Sequence, residues 1–110
     1  MASAMSRRAS PRVAASVVAE YQQAGETKGT CRVVELAAGG CVLGGTVLQP
    51  NGSPVSVSMR FDPDRPEARV QGSVVRVKEG AATALEFVSA SPEAREMIID
   101  YVKHQLAENA

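Results

Sequence analysis

The period of the apolar residues changes once along this chain, and that change constrains the fold more than any other feature. As far as Val88 the sequence reads as short strands, most with apolar positions at every second residue and the fifth with valines on both faces (Val74, Val75, Val77); from Ser91 onward the apolar positions recur at helical spacing. Val55-Ser56-Val57-Ser58-Met59-Arg60-Phe61 is the cleanest early run. Its Val, Val, Met and Phe face one way and its Ser, Ser and Arg the other, the pattern of a strand half buried and half wet. Comparable runs are residues 16–22, 30–36, 41–48, 68–78 and 83–88, the first with Val17, Ala19 and Tyr21 on one face. Turn chemistry separates them: Ala24-Gly25-Glu26, Gln49-Pro50-Asn51-Gly52, Asp62-Pro63-Asp64-Arg65-Pro66 and Glu79-Gly80. Gly72 falls inside the fifth run, where a missing side chain marks a bend or bulge of the kind that curves a sheet toward closure.

Ser91-Pro92-Glu93 then starts a helix, with Ser as N-cap, Pro at the first helical position and an acid where the dipole favours it. Ala94, Met97, Ile98, Tyr101, Val102 and Gln105 share one face, with Leu106 beside them, while Ile99 lies off that stripe. Six short strands followed by one amphipathic helix predict a mainly β fold, a six-stranded antiparallel barrel with a C-terminal α-helix. A chain of 110 residues makes one domain. With aromatics at 4% and no Trp, its core is built from Val, Ala, Leu, Met and Ile.

Twelve basic and twelve acidic residues cancel, so no global field draws the chain onto nucleic acid or anionic lipid. Few aromatics for base stacking argue the same way. No run approaches the length of a membrane span. Charge is uneven at the start, where Arg7, Arg8 and Arg12 precede the first acid, Glu20. Read from composition, this segment suits a solvated tail or a transit-peptide-like leader, and Arg7-Arg8-Ala9-Ser10 is a short basic-directed phosphorylation pattern. Cys31 and Cys41 have no partner at metal-ligand spacing and make no disulfide framework, which fits a reducing cytoplasm.

Chemistry-bearing groups are scarce. His104, the single histidine, falls in the last turns of the helix, and Asp62 and Asp64 read as turn residues. No nucleophile–base pairing assembles from this inventory, so a non-catalytic binding or interaction module is expected. Val33-Val34-Glu35-Leu36-Ala37-Ala38-Gly39-Gly40-Cys41-Val42-Leu43 then carries two readings. One is a strand, a tight turn using the freedom of Gly39-Gly40 to take positive φ, and a second strand. The other is a backbone kept bare so that a ligand can approach it.

Arg7-Arg8-Ala9-Ser10-Pro11-Arg12 ahead of the first strand, with Glu35-Leu36-Ala37-Ala38-Gly39-Gly40 at the strand corner, resembles the PilZ domain family, bacterial receptors for cyclic di-GMP. The family pattern is RxxxR followed by (D/N)xSxxG. Val70-Gln71-Gly72-Ser73-Val74-Val75-Arg76-Val77, Leu85-Glu86-Phe87 and the closing helix also look like the family, so the resemblance runs from Arg7 to Leu106. It implies a flexible arm over residues 1–12 carrying the arginine motif, and a PilZ-like barrel plus helix over residues 13–110. By the resemblance Arg8 and Arg12 fill RxxxR, Arg7 is an added cation, and Glu35, Gly39 and Gly40 complete the ligand-binding set. An arginine fork matches both the guanine O6/N7 edge and phosphate oxygens. Two positions depart from the pattern: Glu35 displaces the carboxylate by one methylene, and Ala37 lacks the hydroxyl. The implied function is a cytoplasmic signalling domain that takes cyclic di-GMP, with binding weakened at those positions, needs no cofactor, enters no membrane and acts through a partner protein. The alternative is a degenerate domain working by protein contact alone.

Overall fold

A computed structural model of the chain describes residues 11–23, 27–45, 54–78 and 82–108. Six strands precede one helix: β1 Val13–Gln23, β2 Thr27–Ala37, β3 Gly40–Gly44, β4 Pro54–Arg60, β5 Ala68–Lys78, β6 Ala82–Ala90 and α1 Pro92–Glu108. The strands close into a barrel in the order β1-β2-β3-β6-β5-β4, every pairing antiparallel. The predicted turns at 24–26, 49–52 and 79–80 and the end of the third run at 46–48 lie outside the described residues.

Alternation along each strand sends Val17, Ala19, Val33, Leu43, Val57, Met59, Val70, Val74 and Leu85 into one continuous core. The interior is aliphatic, as the composition requires. Fully burying a Val or Leu side chain stabilises by about 1.5–3 kcal/mol, so this cluster is the main force closing the barrel. The helix completes it, because Ala94, Met97, Ile98 and Val102 join the same cluster. Ser91 Oγ accepts the Ala94 amide at 3.1 Å, the N-cap expected from the sequence. Tyr101 packs on Phe61 with ring centroids 5.3 Å apart and fixes the helix over the end of β4. Leu106 and Ile99 remain exposed. Asp62 folds its own loop as a turn residue, its carboxylate accepting the Asp64 amide at 2.9 Å.

Three differences from the sequence reading have physical causes. β1 begins at Val13 rather than residue 16, since Val13 pairs with Leu36; a slip in register between Ala14 and Val17 hides the alternation there. β2 begins at Thr27 rather than residue 30. Opposite Tyr21 it carries Gly29, where a Cβ would lie 2.8 Å from the Tyr21 hydroxyl, so the tyrosine covers the bare glycine. The third difference concerns positive φ. Among the described residues the left-handed glycine is Gly45, at φ +67°, and not Gly39 or Gly40. Gly40 is bare for another reason: a Cβ there would press into the Leu85 carbonyl oxygen of β6. Gly72 does sit at an irregularity, where β5 and β6 slip between Gln71 and Gly72.

Candidate ligand-binding site

One row of residues crosses the outer surface of five strands. Ala14 pairs with Glu35, Glu35 with Val42, Val42 with Ala84, and Ala84 with Arg76. Neighbouring strands lie about 4.8 Å apart, so three steps from Glu35 to Arg76 span about 14 Å. Arg12, two residues before Ala14, places Nη1 3.5 Å from Glu35 Oε1. Arg12, Glu35 and Arg76 line an open cleft of about 500 Å³ together with Val34, Val42 and Ala84. That volume falls within the range of small-molecule sites.

Breaks in the β period put the charged groups on this face. Val33 pairs with Leu43 and Glu35 with Val42, leaving Val34 as the extra residue of a bulge. Strict alternation from the buried Val33 would turn Glu35 into the core and Leu36 out of it. With the bulge, Val34 and Glu35 both face outward and Leu36 is buried. The same device operates on β5, where Val74 pairs with Leu85 and Arg76 with Ala84, so Val75 is extra and Arg76 points out rather than in. The slip between Ala14 and Val17 is the third irregularity beside the cleft.

The Arg12–Glu35 pair is solvent-exposed, at 66% and 44% of the two side chains. Such pairs contribute about 0–1 kcal/mol, so separating the two groups costs little. Between Glu35 and Arg76 the row offers only Val42 and Ala84, an apolar floor that follows the curve of the barrel wall. The guanidinium groups of Arg12 and Arg76 thus line one cleft with apolar side chains between them.

Of the residues singled out in the sequence, the fold brings Arg12 and Glu35 together, from motifs more than twenty positions apart. Arg7 and Arg8 lie outside the described residues. Gly39 lies in the β2–β3 turn, Gly40 opens β3, and neither lines the cleft. The Gly39 carbonyl accepts the Phe87 amide at 2.8 Å, tying that turn to β6. Ala37, which stands where the motif has Ser, is buried and pairs with Gly40. Sequence reasoning missed Arg76 and the floor residues Val42 and Ala84. A signal existed for Arg76: Val74-Val75-Arg76 interrupts alternation just where an in-phase arginine would enter the core.

Residues 6–104 match the family described as PilZ domain. No curated protein matches the sequence. Among solved structures, the Bacillus subtilis inhibitor of motility MotI/DgrA superposes with a TM-score of 0.78 at 15% identity, covering 94% of this chain and 53% of that one. The PilZ domain of Escherichia coli YcgR, solved with c-di-GMP, gives 0.72 at 12% identity and 94% coverage of both chains. Borreliella burgdorferi PlzA, solved in complex with c-di-GMP, gives 0.64 at 18% identity, covering 84% of this chain and 39% of that one. This chain therefore spans about half the length of MotI/DgrA. At these identities the structures speak for the fold.

Proposed function

The chain belongs to the PilZ domain family, and on that footing we propose that it is a non-catalytic cyclic di-GMP receptor domain, cytoplasmic, whose ligand lies in the Arg12–Glu35 cleft. Arg8 and Arg12 clamp the nucleotide from the N-terminal arm, with Arg7 beside them. Glu35 stands at the head of the floor, and Gly39 and Gly40, outside the cleft lining, complete the motif at the β2–β3 corner. The observation that carries this reading is the Arg12–Glu35 contact at 3.5 Å on the wall of a cleft, since the two residues come from the two halves of the family's binding pattern. The structures of YcgR and PlzA, solved with c-di-GMP, support the choice of ligand. Ligand capture exchanges the Arg12–Glu35 pair for contacts to the nucleotide, and that exchange alters the surface offered to a partner protein.

Ala37 favours a second reading, a domain that has lost the nucleotide. A ligand atom left unpaired for want of a hydroxyl costs about 1–3 kcal/mol, or on the order of one to two decades of affinity. Calorimetric titration with cyclic di-GMP, with GTP as control, separates the two. Saturable binding that Arg12→Ala abolishes supports the receptor. No heat from a folded parent, with binding created by Glu35→Asp plus Ala37→Ser, establishes the degenerate domain.

A further inference from the structure

We propose that the outer face of α1 is a homodimer interface, on which a second copy of this chain packs its own α1 antiparallel. The inference stands apart from the receptor reading above. The barrel takes one side of the helix, where Ala94, Met97, Ile98 and Val102 are buried. Ile99 and Leu106 lie off that side and remain 39% and 41% exposed. Seven positions separate them, so at 1.5 Å per residue they stand about 10 Å apart on one line along the helix. Arg95, Ile99, Val102 and Leu106 follow the alternating four- and three-residue spacing of a helix–helix seam.

Charge selects the occupant and its direction. Glu96 and Lys103 are exposed and flank the line of Ile99 and Leu106 on the side away from the barrel, again seven positions apart. Among the described residues no ion pair holds either of them; the pairs present are Arg12–Glu35, Arg60–Glu67 and Arg69–Glu67. Two such helices laid parallel would set like charge against like. Laid antiparallel about a two-fold axis beside Ile99, Glu96 of each copy meets Lys103 of the other, so the pairing forms twice. In that register the two copies of Ile99 meet near the axis, and the aliphatic stem of Arg95 covers Leu106 of the other copy. Flanking charges of this kind fix partner choice and helix direction. An isologous contact uses one patch twice, and this patch carries both halves of its own charge pattern.

The test is sedimentation velocity of the chain over a concentration series reaching the millimolar range, with circular dichroism confirming that each variant is folded. No nucleotide is present, so the outcome does not bear on the receptor reading. The parent should show a reversible monomer–dimer equilibrium. Ile99→Asp and, separately, Leu106→Asp change exposed positions and should each weaken association about tenfold or more. Glu96→Lys alone and Lys103→Glu alone should weaken it too, since each sets like charges together. Mixed in equal amounts, those two single variants should associate as the parent does, and so should the double variant Glu96→Lys plus Lys103→Glu. A parent that stays monomeric throughout overturns the inference. A dimer indifferent to both Asp substitutions forms on another surface and overturns it as well. Loss in the single charge variants, with no recovery in the mixture or the double variant, refutes the antiparallel register and the proposal with it.

Discussion

Gly40→Ala tests whether this glycine is bare for the barrel's sake or for a ligand's. An added Cβ would fall inside 3.0 Å of the Leu85 carbonyl oxygen, and that oxygen is backbone of the neighbouring strand. A flexible side chain would swing away; a paired strand cannot, because Gly40 and Cys41 are held to Glu86 and Leu85 by the ladder. Overpacking of this kind costs about 1–3 kcal/mol, against a gain of about 0.4–1 kcal/mol from a less flexible unfolded chain. The net expectation is a loss of about 1–2 kcal/mol, which lowers the melting temperature of a domain this size by about 5–15 °C. Gly39→Ala is the matched control. Nothing lies within 4 Å of its added Cβ, so its stability should equal or slightly exceed the parent's. Urea and thermal unfolding by circular dichroism measure both. A Gly40→Ala variant within about 0.5 kcal/mol of the parent, the range of ordinary surface changes, would refute the close-approach argument.

Arg12→Ala should leave stability within about 1 kcal/mol of the parent, because the Arg12–Glu35 pair is exposed, while weakening cyclic di-GMP at least tenfold in the same titration. Removing the N-cap with Ser91→Ala exposes the Ala94 amide to no partner and should cost about 1 kcal/mol in urea unfolding. Burial, and secondarily the neighbouring charge of Cys31, pushes the Cys41 thiol up to about 12 from 9.0. The folded state thus holds its proton more tightly than the unfolded state, so this contribution to stability is fully present below pH 9.0 and is lost as pH rises toward 12. At pH 8, iodoacetamide should modify the half-buried Cys31 first and reach Cys41 only in denaturant; equal rates on the folded protein would contradict the burial.

The fold was legible because strands and helix announce themselves by period, and here the periods are clean. Val55 to Arg60 and the stripe Ala94, Met97, Ile98 and Val102 needed no tertiary information. Arg12 and Glu35, which meet on the wall of the candidate cleft, were singled out for a different reason, resemblance: they came from a motif, and nothing local to either predicts that they meet. What the sequence hid was hidden by bulges. A pattern argument assumes unbroken alternation, and under that assumption Val34-Glu35-Leu36 and Val75-Arg76-Val77 look like strands of uncertain facing. The positive φ was misplaced for a related reason. A Gly-Gly pair at a turn suggests backbone freedom, but the demand at Gly40 comes from β6, a strand more than forty residues away that no local reading consults.

The bulges connect the barrel's construction with its binding surface. A small closed barrel must bend its strands, and inserting one residue is a common way to do so. Each insertion also reverses the facing of every residue beyond it, which would ruin the core if the sequence beyond were not shifted in compensation. At Val34 and Val75 that shift is present: Leu36 is buried, Val77 packs against the core, and a charged residue follows each bulge on the outside. Deleting Val75 separates the two roles of the bulge. Without it Val74 stays inward, Arg76 follows outward and Val77 inward in strict alternation, so the core keeps its residues and no charge is buried. What the deletion removes is the insertion that bends β5, so unfolding in urea should stay cooperative with a loss of about 0.5–3 kcal/mol, whereas Val75→Ala, which keeps the inserted residue, should unfold nearly as the parent does. A deletion variant that no longer unfolds cooperatively would show that Arg76 had turned into the core, and the argument from alternation would fail.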